Sequence, residues 1–256
     1  MRYGEKKGQV TLYIIIALAI ILVLIIFLVY PRVNLPGSGS ADATPEEYLR
    51  SCIGQEIPLI MEDITSQGGS MQPQGFIVYN NTKISYLCYT AEYYKTCVVQ
   101  QPNLIGQVER EISRELQPIA TSCVKSFAEE YESRGYKISY GNTNVNASLA
   151  LNSIKITLNL PMTVTKDFSR TYKSIDLEYK SGIYEILSLA TSIIDFESTY
   201  GDSETTLYMR YYPNIKIEKV KLSDGSKIYS ISDVVSKDRF VFASRSLAWP
   251  AGYGLE

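Results

Sequence analysis

Residues 10–30 read VTLYIIIALAIILVLIIFLVY, a run of twenty-one residues without a charged side chain. As a helix, such a run spans the roughly 30 Å hydrocarbon core of a bilayer. The preceding residues 1–9, MRYGEKKGQ, carry three basic side chains and one acid, and basic residues stay on the cytoplasmic side of a membrane. The sequence therefore predicts a cytoplasmic tail, a single transmembrane helix and an extracellular C-terminal part.

The N-terminal segment has three interpretations. A cleaved secretory signal has an apolar core of about 7–15 residues and a small-residue cleavage site, whereas this run is longer and ends in YPR. An uncleaved anchor fits the length directly. The motif KKGQ resembles the class III signal of archaeal type IV pilin-like proteins, which is cut after the glycine. Processing of that kind would cut after Gly8 and make Gln9 the first residue, although Tyr13 stands where bacterial pilins carry a glutamate.

The composition is that of an ordinary globular protein with a small negative charge. Of 256 residues, 45% are hydrophobic and 20% are charged, and the formal net charge is −2. Residues 1–8 contribute +3 − 1 = +2, which leaves about −4 on the rest of the chain. This balance provides no basic surface, so we expect no nucleic-acid partner.

The chain contains no histidine and twenty-one tyrosines. The lack of histidine removes the usual general base, the Ser-His-Asp and Cys-His arrangements and the commonest zinc ligand. Tyrosine supplies rigid contact area with a polar tip on binding surfaces, and it also fills half-buried strand positions. We therefore expect no enzymatic activity, cofactor, metal or small-molecule substrate, and both roles for the tyrosines stay open.

All four cysteines follow the apolar segment, an even number in a compartment that should be oxidising. None forms a C-x-x-C pair. Cys88 and Cys97 flank YTAEYYKT, which a hairpin or short loop can close, and Cys52 and Cys123 lie on the apolar faces of two predicted helices. We predict disulfides Cys52–Cys123 and Cys88–Cys97, each worth about 2–4 kcal/mol; buried free thiols are the alternative.

The extracellular part is predicted to begin after a flexible Pro/Gly/Ser linker over residues 31–43. We predict an α+β domain over residues 44–200. Its first helix starts at the capping box TPEE, bends at Pro58 and stops at GG. Two strands then turn at NN, and a long helix runs from Asn103 to Gly135 with its charged side chains on a solvated face.

An antiparallel β meander is predicted next, from KISY to TYKSIDLEY, followed by another helix over residues 182–198. Residues 201–256 are predicted to form a C-terminal β-rich segment with a hairpin turn at Asp224-Gly225. Whether this segment is a separate domain stays open.

Two sequons and one acidic cluster are the remaining motifs. Asn80-Asn81-Thr82 and Asn146-Ala147-Ser148 are acceptor sequences for N-glycosylation on the extracellular side. The acidic cluster fits no EF-hand loop, and we interpret it as a solvated helix end. It comprises Asp195, Glu197, Asp202 and Glu204.

Five features are together similar to an uncharacterised family of single-pass surface proteins from the small-celled DPANN archaea. They are KKGQVT before an apolar helix, a Cys52 helix ending in QGG, a long helix bearing Cys123, strands with LPMTVTK, and a terminal RFVFASR. That family has no established enzymatic activity. The resemblance implies surface location, single-pass topology and a Cys52–Cys123 pair.

Three classes of function are consistent with these features. The first is a non-enzymatic, membrane-anchored cell-surface protein with a structural, assembly or adhesive role, which contacts a protein partner or another copy of itself. The second is a pilin-like subunit whose apolar N-terminal helix packs in a filament core. The third is an extracellular hydrolase that uses two carboxylates in a concave pocket.

Overall fold

The computed structural model describes residues 17, 18, 20 and 44–247. Residues 1–43 and Thr44–Glu256 form two separate units. Ala17, Leu18 and Ile20 are helical, whereas the rest of the predicted transmembrane helix, the cytoplasmic tail and the linker lie outside the described residues. Among the residues that are described, no helix is both long and apolar enough to cross a membrane.

The described part of the chain is an α+β protein with five helices and two sheets. The helices are α1 (Pro45–Gly54), α2 (Ile57–Ser66), α3 (Leu104–Ser133), α4 (Ile183–Tyr200) and α5 (Thr205–Tyr211). The strands are β1 (Phe76–Tyr79), β2 (Thr82–Tyr89), β3 (Val98–Val99), β4 (Lys137–Tyr140), β5 (Asn144–Ala150), β6 (Ser153–Thr165), β7 (Ser169–Lys180), β8 (Ile215–Lys221), β9 (Ser226–Asp233) and β10 (Arg239–Arg245).

The first predicted helix is two short helices rather than one bent helix. The capping box forms as predicted, because the Thr44 hydroxyl accepts from Glu47 N and the Glu47 carboxylate accepts from Thr44 N. The chain then leaves the helix after Gly54 and starts α2 with Pro58 in its first turn. Proline lacks an N–H and is tolerated in the first turn of a helix. Starting a new helix at this point therefore costs less free energy than placing Pro58 inside one continuous helix.

The predicted meander is an antiparallel sheet with β6 in its middle. β7 pairs with β6 along one edge. On the other edge β4 and β5 lie end to end, opposite residues 162–165 and 153–159 of β6. At the break between them, Gly141 N donates to Pro161 O at 2.8 Å.

Helix α3 covers the outer edge of β5. Three of its side chains, four residues apart along the helix, accept hydrogen bonds from alternate N–H groups of the strand. The pairs are Gln117 with Val145 N at 3.0 Å, Ser113 with Ala147 N at 2.8 Å and Glu109 with Leu149 N at 2.8 Å. The interpretation of this charged face as fully solvated is wrong, since Glu109 bonds the strand and Glu111 is 5% exposed.

The C-terminal segment does not form a domain of its own. Its strands extend the β1–β2 hairpin into a six-stranded sheet, because β10 lies between β9 and β2 and runs parallel to β2. Thr44–Glu256 is accordingly one compact unit, without a boundary at residue 200. Helix α5, which the sequence did not predict, packs against β8.

The core of this sheet lies under α4. Ile186, Leu187, Ala190 and Ile194 of α4 are almost fully buried, as are Phe240 and Phe242 of β10. Helix α4 crosses strands from both the hairpin and the C-terminal segment. Burial of this face holds the hairpin and the C-terminal segment together, since each Å² of buried apolar surface stabilises the fold by about 25 cal/mol.

Candidate functional site

Residues 88–97, which we call the tyrosine loop, form a closed ring at one end of the six-stranded sheet. The sulfur atoms of Cys88 and Cys97 lie 1.96 Å apart, at disulfide distance. The loop presents Tyr93 and Tyr94, which are 69% and 66% exposed. Large exposed aromatic side chains on a fixed backbone are typical of contact surfaces.

Arg245 at the end of β10 holds the tyrosine loop in place. Its guanidinium lies 5.9 Å from the ring centre of Tyr89 and 5.7 Å from that of Tyr93. It also donates to Thr90 O, and Thr90 N donates back to Arg245 O at 3.0 Å. The loop is thus fixed by a disulfide, by backbone bonds and by two cation–π contacts.

A β-bulge in β2 turns Tyr86 toward Tyr89, the second residue of this loop. Ala243 of β10 pairs with Tyr86, and the next residue, Ser244, pairs with Cys88, so Leu87 is the extra residue. A bulge reverses the alternation of side chains along a strand. As a result the rings of Tyr86 and Tyr89 meet edge to face, with centres 5.0 Å apart.

A cleft of about 590 Å³, which we call the amide cleft, lies next to these tyrosines. It occupies the break where β3 and β1 lie end to end along one edge of β2, opposite residues 88–89 and 82–85. At the break, Tyr86 N donates to Gly75 O at 2.9 Å and Gln100 N donates to Leu87 O at 2.8 Å. The backbone of β2 is therefore already hydrogen-bonded at the floor of the cleft.

The lining of the amide cleft has an unusual composition. None of the described residues that line it is charged, and five of the nine glutamines in the chain do so. These are Gln72, Gln74, Gln100, Gln101 and Gln107. The rings of Phe76, Tyr86 and Tyr89 also line the cleft, so it combines apolar ring area with neutral donors and acceptors.

A second exposed aromatic surface, which we call the aromatic ridge, lies on α4 and α5. Phe196 and Tyr200 pack with ring centres 4.6 Å apart. Phe196 also borders a shallow concavity of about 550 Å³, together with the exposed side chains of Leu207, Tyr211 and Tyr212. Clustered exposed apolar side chains mark interaction sites more often than isolated ones do.

The prediction of a solvated helix end is wrong for one member of the acidic cluster, because Glu197 is fully buried in a hydrogen-bonded network, whereas Asp195, Asp202 and Glu204 are exposed. The Glu197 carboxylate accepts from Lys227 Nζ at 2.6 Å, from Ser244 Oγ at 2.9 Å and from Ser203 N at 2.9 Å, and also from the Tyr229 hydroxyl. Each carboxylate oxygen is thus paired, which compensates the cost of burying the charge.

Neighbouring groups of this network have shifted pKa values. Burial first, and the Glu197 carboxylate second, raise the pKa of Tyr229, so its phenol stays protonated and donates. Partial burial acts to raise the pKa of Asp202, but hydrogen bonds from Lys221 and Lys219 and the charge of Lys227 outweigh burial and lower that pKa to about 2. The network holds β8 and β9 to the end of α4.

The structure places the other predicted site residues apart from the amide cleft. Cys52 of α1 and Cys123 of α3 lie at disulfide distance, with 2.01 Å between sulfur atoms. Asn80 is exposed in the β1–β2 turn, and Asn146 is exposed on β5. Both sequon side chains are thus accessible to solvent, whereas Gly8 and Gln9 lie outside the described residues.

Sequence reasoning missed the amide cleft and the buried ion pair. Gln72 and Gln74 come from the α2–β1 loop, and the other three come from the β3–α3 connection and the first turn of α3; these segments are distant in sequence and meet only along one edge of β2. The one available signal was the recurrence of glutamine in QPQG and QQP. Within residues 44–247, no three acidic or cysteine side chains converge in a way that could hold a metal ion.

Comparison of the chain with protein-family models, with curated proteins and with solved structures gave no match.

Proposed function

We propose that this chain is a non-enzymatic, membrane-anchored cell-surface protein whose exterior domain contacts a protein partner or another copy of itself. The anchor is the apolar segment of residues 10–30, with the basic tail in the cytoplasm. The contact surface is the tyrosine loop, supported by the aromatic ridge. The role is structural or adhesive.

The observation that carries this proposal is the way the tyrosine loop is fixed. Exposed tyrosines in a mobile loop would lose side-chain and backbone freedom on binding, which weakens the contact. Here the disulfide and Arg245 restrict that freedom before binding. Rigid, exposed tyrosines such as Tyr93 and Tyr94 are among the residues that contribute most binding energy in protein interfaces.

Two features of the charged groups support a non-enzymatic role. The best-formed cluster of carboxylate, lysine and serine is fully buried around Glu197, so it cannot reach a substrate. A general acid in a hydrolase needs a raised carboxyl pKa. Every carboxyl pKa that is shifted among the described residues is lowered, at Asp202, Glu204, Glu218 and Asp224.

A pilin-like subunit is the second candidate, and the motif KKGQ favours it. The intact mass of the native protein extracted from membranes separates the two candidates. A mass that begins at Met1 supports the anchor, and one that begins at Gln9 supports the pilin-like subunit. Reduction should add about four hydrogens in either case, because both disulfides open.

Hydroxyl-radical footprinting tests the proposed contact surface whatever the identity of the partner. We expect Tyr93 and Tyr94 to be modified several-fold less on intact cells than in the purified full-length protein, because a bound partner or second copy excludes solvent. Phe168, which is 86% exposed, is the control and should react equally in both samples. Equal modification of the loop tyrosines in both samples would contradict the proposal.

A further inference from the structure

We propose that the amide cleft is a binding site for a neutral, hydroxyl-rich carbohydrate, such as a short uncharged oligosaccharide. The inference deepens the proposed contact role and rests on it for placing the ligand outside the cell. Its evidence is separate from that of Tyr93 and Tyr94, since it depends on the chemistry of the cleft, with which the tyrosine loop shares only Tyr89 among the described lining residues.

The charge of the lining restricts the ligand first. No charged residue is among the described residues that line the cleft. Three cations contact lining residues from outside the cleft, and each already has a partner in the protein: Lys83 Nζ lies 4.9 Å from the ring centre of Phe76, Arg245 contacts Tyr89 and Thr90 O, and Arg110 donates to Gln107 at 3.1 Å. A phosphate, sulfate or carboxylate would give up hydration without meeting a charged group in the lining itself, which is costly. The carboxylate of Glu111, which contacts the lining residue Gln107, accepts from the Gln107 amide at 3.2 Å, from Met71 N at 3.0 Å and from Arg114. A neutral ligand is therefore favoured.

The glutamine side chains define the polar complement of that ligand. Gln107 and Gln100 are held by internal hydrogen bonds, to Glu111 and to Val98 O. The side chains of Gln72, Gln74 and Gln101 make no hydrogen bond to any other described residue. Each free amide offers two donor hydrogens and an acceptor oxygen. A sugar hydroxyl is also both donor and acceptor, so several such groups match an array of free amides.

The aromatic rings supply the apolar complement. Pyranose rings carry C–H groups on their faces and hydroxyls around their edges. The exposed ring area of Phe76 and Tyr89, each a little over one-third exposed, can pack against such a face while the amides reach the edge. The cleft volume of about 590 Å³ lies within the range of about 300–1,000 Å³ that is typical of ligand sites.

The backbone at the cleft argues against an extended peptide as the ligand. A peptide that adds a strand to a sheet needs unpaired N–H and C=O groups on the edge. At the break in the edge of β2 these groups already pair with Gly75 O and Gln100 N. The cleft can therefore be occupied through side chains but does not offer a strand-addition site on β2.

The test is saturation-transfer NMR with the full-length protein in lipid nanodiscs, which avoids sugar-headed detergents that would compete. The neutral probes are maltotriose, mannotriose, N,N′,N″-triacetylchitotriose and lactose. The comparison probes are sialyllactose, glucose 6-phosphate and an uncharged proline- and glutamine-rich peptide. We expect saturation transfer to at least one neutral sugar, with a dissociation constant on the order of 0.1–1 mM, and weaker transfer to the comparison probes.

The variant Gln74→Glu/Gln101→Glu should weaken binding of that sugar about tenfold, because each change removes two donors and adds a charge. Gln55→Glu is the matched control, since Gln55 is exposed and does not line the cleft. This variant should bind the sugar with the affinity of the wild type. Circular dichroism shows whether each variant is folded. An unfolded double variant is replaced by the single substitution Gln101→Glu.

Three results would overturn the inference: no transfer to any neutral sugar at about 10 mM probe, equal binding by wild type and cleft variant, or preferential binding of the anionic or peptide probes. Two variants distinguish a failure of this inference from a failure of the proposed contact role. The variant Tyr93→Ser/Tyr94→Ser should retain sugar binding, and the cleft variant should retain footprint protection of the tyrosine loop on cells.

Discussion

The two sheets are built alike along one edge and differ in what covers it. In each sheet two short strands lie end to end against a long one: β3 and β1 along β2, and β4 and β5 along β6. In the meander sheet, α3 lies against β5 and bonds its alternate N–H groups. In the six-stranded sheet, the break between the short strands opens into the amide cleft.

The difference shows two ways to satisfy the same backbone requirement. An exposed strand edge invites pairing with other chains, and its N–H groups need partners. A helix that supplies side-chain acceptors closes the edge and leaves no space. Loop backbones at Gly75 and Gln100 instead supply one hydrogen bond each. They pair the backbone groups of the strand edge and leave a cavity beside it. The closed edge therefore contributes to stability, while the open edge keeps polar side chains available for a ligand.

The largest expected effect comes from the two disulfides, one on each side of this comparison. Cys52–Cys123 ties α1 to the helix that closes the meander edge across 71 residues, and Cys88–Cys97 closes 9 residues beside the cleft. From loop entropy, replacing each pair with serine should lower the free energy of unfolding by about 4 and about 2.5 kcal/mol respectively.

Urea unfolding of the full-length protein measures both disulfide variants against the oxidised wild type. We expect the larger loss of unfolding free energy in Cys52→Ser/Cys123→Ser. An unchanged midpoint for that variant, or a larger loss of unfolding free energy in Cys88→Ser/Cys97→Ser, would show that loop length does not determine which disulfide stabilises the fold more.

An intermediate effect is expected from Gln117→Ala, which opens the closed edge. The Gln117 amide accepts from Val145 N at 3.0 Å and donates to Thr143 O at 2.8 Å. Loss of both bonds leaves part-buried backbone groups unpaired, which should cost about 1–3 kcal/mol. Gln101→Ala, on the open edge, should change stability by less than about 0.5 kcal/mol. Thermal unfolding compares them, and equal losses would remove the distinction between the two edges.

The smallest effect concerns acid stability at the far edge of the six-stranded sheet. The folded-state pKa of Asp202, about 2, lies below the unfolded value of about 3.9. The carboxylate therefore contributes stability above about pH 4, and this contribution is lost as the pH falls toward about 2. Because the side chain is 47% exposed, we expect less than about 1 kcal/mol.

Unfolding free energies of wild type and Asp202→Asn between about pH 2 and pH 5 measure this contribution. The variant should show a flatter profile in that window. Lys221→Met, which removes the partner at 2.7 Å, should flatten it as well. A profile that is equally steep in all three proteins would assign the acid sensitivity to other groups.

Local sequence signals predicted most of the regular structure. Periodic apolar residues predicted α3 and α4, and alternating ones predicted the meander, because these patterns report which face of one element is buried. The break between α1 and α2 was missed, since Pro58 can either bend a helix or start a new one. Helix α5 was missed because seven residues carry too little periodicity.

The candidate site could be predicted only in part. The Cys88–Cys97 loop and its tyrosines were visible because closure of a short loop is a local property. Glu197 was assigned to solvent because its neighbours are polar, yet it is buried by Lys227 and Tyr229, which lie 30 and 32 residues away. Pairing over such distances leaves no mark on local periodicity.

By itself, the sequence determined the α+β class, the positions of the long elements and which cysteines could pair. Those features depend on residues that are close in the chain or share one face of one element. The tertiary structure alone decided that β10 inserts beside β2, that α3 closes one sheet edge and that five glutamines meet at the other. These depend on strand order and helix placement, which are set by the burial of faces far apart in sequence.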